Sequence, residues 1–273
     1  MLFNTFNCLQ GVFNCISITS EIKKERKMSI FDTISKPEDR STLVTILGDA
    51  GLGKSSLAST FPNPIFIRAE DGLQAIPLDI RPDAFPVLKQ SADLWAQLSC
   101  LITDPHDYKT LVIDSVTALE RMFIDYIVES DPKKPKSINQ AMGGYGAGLT
   151  AVAAMHGRVR KACGILNNMG MHIVFIAHAD TETIDLPDSE PYTRYNLRLG
   201  KRSTAPYVDD VDIVGFIKLQ SFVKDDKKII SDGSRVLSVT ATASNVSKNR
   251  YGITQDLPVL LNQNPFKNHV TGL

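Results

Sequence analysis

From residue 41 onward, short runs of aliphatic and β-branched residues alternate with stretches whose apolar positions recur every three to four residues. The runs at 42–47, 64–69, 110–113, 172–177, 212–219 and 235–242 are apolar at most positions rather than at every second one, as strands covered on both faces should be. Between the third and fourth runs, Val116, Leu119, Phe123 and Ile127 fall on one face of a helix. Strands alternating with helices predict an α/β fold: a mostly parallel central sheet flanked by helices. No internal repeat or long low-complexity tract breaks the pattern, and the Pro/Lys segment at 131–136 reads as a loop.

The chain has 273 residues, 43% of them hydrophobic, which is enough for one generous domain. Its 30 basic and 30 acidic residues cancel, so any nucleic-acid surface has to come from local clustering. Cys8, Cys15, Cys100 and Cys163 show neither a C-x-x-C pair nor zinc spacing, which points to a reduced, cytoplasmic setting. No apolar run reaches the length of a membrane helix, and the opening residues lack the basic start of a signal peptide. Residues 1–40 are expected to be an N-terminal arm, 41–262 the core and 263–273 a C-terminal tail. Two readings of residues 1–27 stand side by side. Lys23-Lys24-Glu25-Arg26-Lys27 can be encoded by purine-only codons that include a ribosome-binding sequence, which would make Met28 the natural start; or the segment is an ordinary flexible arm.

The turn after the first run reads Gly48-Asp49-Ala50-Gly51-Leu52-Gly53-Lys54-Ser55. A phosphate chain concentrates negative charge, so its site needs backbone N–H groups pointing inward with no side chains in the way, and Gly48, Gly51 and Gly53 permit that. Lys54 is placed to reach the β- and γ-phosphates, and Ser55 offers a hydroxyl to Mg²⁺. The spacing G-x-x-x-x-G-K-S arises by chance in about one per cent of chains this long, and here it also opens a helix expected over 55–60. ATP and Mg²⁺ are therefore the expected ligands, with residues 48–55 and Ser56 around the nucleotide. Leu111-Val112-Ile113-Asp114 supplies the other half, a carboxylate at a strand end that holds the metal through water. Capping of a helix that starts at Ser115 is compatible with that role.

These motifs resemble those of the RecA-like P-loop ATPases. Ile65-Phe66-Ile67-Arg68-Ala69-Glu70 looks like that family's second strand, which implies Glu70 as the base that activates the attacking water. Val112-Ile113-Asp114-Ser115-Val116-Thr117-Ala118-Leu119 is similar to the Walker B region of RecA itself. Ile173-Val174-Phe175-Ile176-Ala177-His178 ends in a polar residue where the family positions a γ-phosphate sensor. Lys248-Asn249-Arg250-Tyr251-Gly252 resembles the K-N-R-F-G motif of RadA and the K-x-R element of DnaB helicases. In those proteins the two cations project onto the ATP of the neighbouring subunit, where they neutralise charge that spreads during phosphoryl transfer. The resemblance thus implies Lys54, Glu70, His178, Lys248 and Arg250 as the catalytic set, in a ring or filament of identical subunits. Motif order and spacing over 41–255 are similar to the phage-encoded Sak-type single-strand annealing ATPases. The expectation is a minimal core without an appended DNA-binding domain, lying in the host cytoplasm if phage-encoded.

Recombinases of this kind bind single-stranded DNA with two loops, which correspond to about 131–150 and 180–205 here. No acidic residue lies between Asp131 and Asp180, whereas Lys133, Lys134, Lys136, Arg158, Arg160 and Lys161 are basic, the clustering a phosphate backbone attracts. Gly143-Gly144-Tyr145-Gly146-Ala147-Gly148 adds a flexible loop with one ring suited to stack on a base. The second segment offers Arg194, Arg198, Lys201 and Arg202, but its first half is acidic at Asp180, Glu182, Asp185, Asp188 and Glu190. Single-stranded DNA is the expected partner, with a single-strand DNA-binding protein as a further candidate. Annealing or strand exchange heads the functions to be weighed. Behind it stand a hexameric helicase-like motor, a nucleotide-gated assembly module and a small-molecule kinase.

Overall fold

Leu43–Gly48 (β1) is buried along its whole length. Its alternation explains why: Leu43 and Leu47 enter the apolar cluster on one face of the sheet, Val44 and Ile46 the cluster on the other. In the computed structural model, which describes residues 30–36, 39–187, 190–223 and 229–273, β1 is followed by helix Lys54–Ala58 (α1), strands Pro64–Arg68 (β2) and Asp83–Ala84 (β3), and helix Ser91–Thr103 (α2). Then come strand Thr110–Asp114 (β4), helices Val116–Ser130 (α3) and Ala147–Asn168 (α4), strands His172–Ile184 (β5) and Tyr192–Leu197 (β6), and helix Ala205–Val208 (α5). Strands Ile213–Val223 (β7), Ile229–Ser238 (β8), Lys248–Asn249 (β9) and Leu257–Pro258 (β10) close the order. The chain divides into two units, Met1–Glu38 and Asp39–Leu273. In the first, a 3-10 turn spans Ile30–Thr33; the expectations for residues 1–27 and Met28 lie outside the described residues. The second unit carries the sheet.

Among the described residues the strands line up as β10-β8-β7-β1-β5-β4-β2-β3, with β6 added to β5 and β9 to β7. The six from β3 to β7 run parallel, so the mostly parallel sheet flanked by helices is as expected. On one face α2, α3, α4 and α5 bury Leu94, Leu98, Leu101, Phe123, Val159 and Tyr207. On the other, α1 and the turn after it bury Leu57, Ala58 and Phe61. Phe266 and Val270 join this second cluster, and Phe266 packs edge-on against Phe61 at 6.1 Å. The segment expected as a tail is therefore part of the core packing.

Three local expectations change. The run at 235–242 was expected as a strand of a mostly parallel sheet; the strand there, β8, runs from Ile229 to Ser238 and pairs antiparallel with β7. Only five residues separate β7 from β8, far fewer than a parallel crossover needs. The segment 180–205 is no open loop in its first half, since β5 continues past the sheet and pairs antiparallel with β6, Glu182 opposite Arg194. Thr181, Thr183, Tyr192, Thr193 and Tyr195 favour that extended pairing. The glycine-rich stretch is not all loop. Gly143, Gly144 and Gly146 take positive φ on the way into α4, while Gly148 lies inside the helix, where an added Cβ would strike the Ile138 carbonyl.

The helical face contains one titratable group with a measurable consequence. His156 of α4 is fully buried beside Phe123, with ring centroids 5.0 Å apart, and its Nδ1 shares a 2.7 Å hydrogen bond with the Tyr207 hydroxyl. Burial pushes its pKa from the ordinary 6.5 down to about 3. Between those values the unfolded chain binds a proton that the folded chain does not, so stability falls as pH drops below 6.5. At about 1.4 kcal/mol per pH unit, urea unfolding at pH ~7.5 and pH ~5 should differ by about 2 kcal/mol from this group. Burial also lowers His172, which adds to the same slope. His156→Gln should flatten the acid loss measurably; an unchanged slope would take His156 out of the account.

Candidate nucleotide-binding site

Because β1, β4 and β5 are parallel, the segments that follow them gather at one edge of the sheet, the edge where α/β proteins hold ligands. Gly48 ends β1 beside His178 of β5, and an added Cβ there would meet Ile217. Gly51 and Gly53 take φ of 79° and 85°, left-handed values that cost other residues strain. The helix behind the loop is short, Lys54–Ala58 rather than the expected 55–60, so inward-facing N–H groups of the loop matter more than a long helix dipole.

Lys54 is buried, and its Nζ donates to the Gly48 and Asp49 carbonyls at 3.0 and 2.8 Å. Burial holds this ammonium below its ordinary pKa; Asp114, Glu70 and Asp49 pull it back up, and the Arg198 charge adds to the depression. Asp49, Ala50 and Gly51 form the exposed lip of the loop, while Leu52, Gly53, Ser55 and Ser56 are half-buried. The Ser55 hydroxyl donates to Asp114 Oδ2 at 2.6 Å. Asp114 closes β4 and is nearly buried, which raises its pKa even though the Ser55 bond and Lys54 work the other way. A hydroxyl and a carboxylate are hard oxygen donors, and Ser55 and Asp114 fit Mg²⁺ as the residues that would hold it.

Glu70 is brought to the same edge by its backbone. The N–H groups of Ala69 and Glu70 both donate to the Asp114 carbonyl, at 2.7 and 3.2 Å. Its Oε2 lies 3.3 Å from His178 Nε2, and its Oε1 accepts from the Ser115 hydroxyl at 2.6 Å and from Arg121 at 3.5 Å. The His178 bond first, then the Ser115 bond, pull its pKa down to about 2 against the opposing effect of burial. Ser115 also caps α3, its Oγ accepting from Ala118 N at 3.2 Å. The cap expected of Asp114 is therefore supplied by its neighbour, which leaves the Asp114 carboxylate to Ser55.

Lys54, Ser55, Asp114, Glu70 and His178 thus meet in one place, and Lys248 and Arg250 lie elsewhere. β9 pairs with β7 at Ile213 and Val214, level with Val44 at the start of β1. Four residues at about 3.3 Å each separate Val44 from Gly48. At that far edge Lys248 Nζ donates to the Val208 and Asp209 carbonyls at 3.1 and 2.7 Å. Arg250 Nη1 sits 3.0 Å from Asp212 Oδ1, an oxygen it shares with Arg40.

Of the residues expected to meet DNA, Lys133, Lys134 and Lys136 are exposed and Tyr145 is wholly so. Asp131 shapes that segment, its carboxylate accepting from the Met142 and Lys133 N–H groups. Arg202 Nη1 donates to the Gly146 carbonyl and the Thr150 hydroxyl at 2.8 and 2.6 Å, which ties the second segment to the first. Lys201 is exposed beside it. Arg194 is paired with Glu182 at 2.7 Å, and Arg198 donates to the Ala179 carbonyl at 2.9 Å on the nucleotide side. Arg158 lies 4.6 Å over the Trp95 ring, and Arg160 donates to the Asp210 carbonyl.

Over residues 40–251 the sequence matches the AAA domain family. The chain belongs to that family. This AAA domain is 25% identical over 199 residues to the SPbeta prophage-derived uncharacterized protein YorG of Bacillus subtilis (strain 168). The alignment covers 70% of this chain and 55% of YorG, so the chain spans little more than half the length of that relative. Among solved structures, the KaiC-like protein PH0186 of Pyrococcus horikoshii OT3 aligns over 80% of this chain and 85% of its own, at 13% identity and a TM-score of 0.44. Family and site together make the edge that gathers Lys54, Ser55 and Asp114 the P-loop of an AAA domain. One residue at its P-loop went unread in the sequence: Arg235 of β8, whose Nη1 donates to the Leu52 carbonyl at 3.2 Å. No local motif marks it, because its place depends on β8 turning back along β7.

Proposed function

We propose that this chain is a DNA-stimulated ATPase that binds single-stranded DNA and promotes annealing or strand exchange, hydrolysing ATP between identical subunits. The observation that carries the reading is the convergence of Lys54, Ser55–Asp114 and Glu70–His178 at one edge of the sheet. Lys54 would exchange its two loop carbonyls for phosphate oxygens. Ser55 and Asp114 would hold Mg²⁺, which when bound would supply charge neutralisation to the phosphates. Glu70 is a carboxylate at every physiological pH and orients the attacking water. Phosphoryl transfer has a loose transition state in which positioning outweighs proton abstraction, so a carboxyl with a pKa of about 2 suits this task.

The DNA half of the reading is supported by the exposed lysines and free-standing Tyr145 ring of segment 131–146, and the prophage origin of YorG is in keeping with it. ATP hydrolysis should rise when single-stranded DNA is added. Replacing Lys133, Lys134 and Lys136 with alanine should flatten the salt dependence of DNA binding by about 2 in log–log slope, since single strands contribute roughly 0.7 per phosphate contact. An unchanged slope would move the surface to Lys201 and Arg202, because Arg194 and Arg198 face the carboxylates of Glu182 and Asp180 whereas Arg202, among the described residues, bonds only neutral groups.

A second reading, a nucleotide-gated assembly module with incidental turnover, is favoured by the hold that Ser115, Arg121 and His178 have on Glu70. It requires turnover that ignores DNA and subunit association that follows ATP binding. Stimulation by single-stranded DNA would eliminate it.

A further inference from the structure

The cradle has two sides, and only one of them belongs to the chemistry of the terminal phosphate. Asp114 and Glu70 approach from β4 and β2, beyond β5 on one flank of β1. On the other flank β7 runs past Gly48, and Leu219 pairs there with Arg235 of β8. Residues two apart on a strand share a face. Arg235 therefore lies on the face of Leu237 and Val239, which pack in the cluster that holds Leu57, Ala58 and Phe61 behind the P-loop. Two strand spacings, about 10 Å, separate β8 from β1, and an extended arginine reaches across most of it. The guanidinium arrives at the loop itself, where an added Cβ on Gly53 would run into Nη1. Gly53 is required by its φ, and a Cβ there would also displace the end of this side chain.

We infer that Arg235 clasps the nucleoside end of the bound nucleotide, taking the phosphate next to the sugar, while Lys54 takes the terminal ones. The inference rests on the nucleotide-binding reading above and deepens it. With the terminal phosphate placed among Lys54, Asp114, Glu70 and His178, the phosphate chain leaves the cradle toward the β7–β8 flank, where Arg235 stands. A guanidinium carries five N–H donors, and among the described residues Arg235 spends one on Leu52. Its planar fork matches two oxygens of one phosphate, which a lysine cannot do.

This contact is common to ATP and ADP, so it differs in its effect from anything on the γ side. Loss of loop support alone would impair Arg235→Lys, which keeps the charge, as much as Arg235→Gln, which removes it and is two atoms too short to hold the Leu52 carbonyl. Arg235→Gln should weaken a fluorescent ADP analogue and ATP alike by about 10- to 100-fold, as loss of a charge-assisted contact does. KM for ATP should rise by a similar factor and kcat fall far less, and Arg235→Lys should lie in between. Wild-type affinity in Arg235→Gln, or a fall in kcat at unchanged KM, would overturn the inference. Wild-type protein that binds neither nucleotide, as Lys54→Ala is expected to behave, would overturn the nucleotide reading itself.

Discussion

Lys54→Ala protein is expected to lose measurable ATP binding, whereas Glu70→Gln protein should bind ATP and turn it over about 10²–10⁴-fold more slowly. The two substitutions differ because of where the side chains act. Lys54 is the buried cation of the loop, already desolvated and held by the Gly48 and Asp49 carbonyls. A phosphate that replaced those carbonyls in the alanine variant would find the N–H groups but no countercharge. Glu70 touches the loop nowhere; its oxygens face Ser115, Arg121 and His178. Glutamine preserves its length and its acceptor toward Ser115, so the cradle stays intact and only the charge proposed to orient the water is lost. Asp71, the next residue along, is a carboxylate that could replace it, but Arg68 holds it at 3.0 Å and Gln74 at 3.1 Å, on an exposed turn. Near-normal turnover in Glu70→Gln would therefore remove the carboxylate mechanism from this edge rather than hand it to Asp71. Nucleotide binding by titration and single-turnover hydrolysis check the two halves separately.

What could be read in the sequence was what short-range rules govern. A strand buried on both faces shows itself as an unbroken apolar run, and β1, β2 and β4 lie within a residue of the runs that announced them. The P-loop is a local motif whose glycines are needed at their own positions, and its partner Asp114 announces itself by ending such a run. Pairing direction is not local in this sense. Whether 235–242 returns parallel or antiparallel depends on how far β7 continues and how short the connection is, and apolar content carries neither. Arg235 and the β5–β6 hairpin followed from that kind of information and were missed. The same limit explains the segment after 262, where Phe266 and Val270 are too widely spaced to look like a strand or helix yet reach the cluster around Phe61. The bond from Ser115 to Glu70 joins residues 45 apart in sequence, through the hook that Ala69 and Glu70 make over the end of β4.

The remaining large effect concerns Arg250. Its position at the starting edge of β1 puts it across the sheet from the Gly48 edge of its own chain, so a catalytic role for it needs a second subunit whose loop edge faces it. Contacts of that kind are head-to-tail and build a closed ring or an open helix according to the rotation per subunit. Asp212 gives the arm a resting place: its carboxylate, almost fully buried, takes Arg250 and Arg40 on one oxygen and the Leu43 N–H on the other. The Arg250 side chain remains about half exposed there, so its charge faces outward at the surface where a neighbour would lie. Arg250→Ala should lower hydrolysis by about 10³-fold or more, in the range of other arginine fingers, while nucleotide binding persists. Mixing decides between trans and cis. Lys54→Ala supplies an intact Arg250 without a cradle, and Arg250→Ala supplies an intact cradle without the arm. In random co-assembly about one interface in four joins the two intact halves, so an equal mixture should recover up to about a quarter of wild-type hydrolysis. Dead mixtures of folded, co-assembling chains would confine Arg250 to its own subunit, as the clamp that Asp212 and Arg40 make at the start of β1.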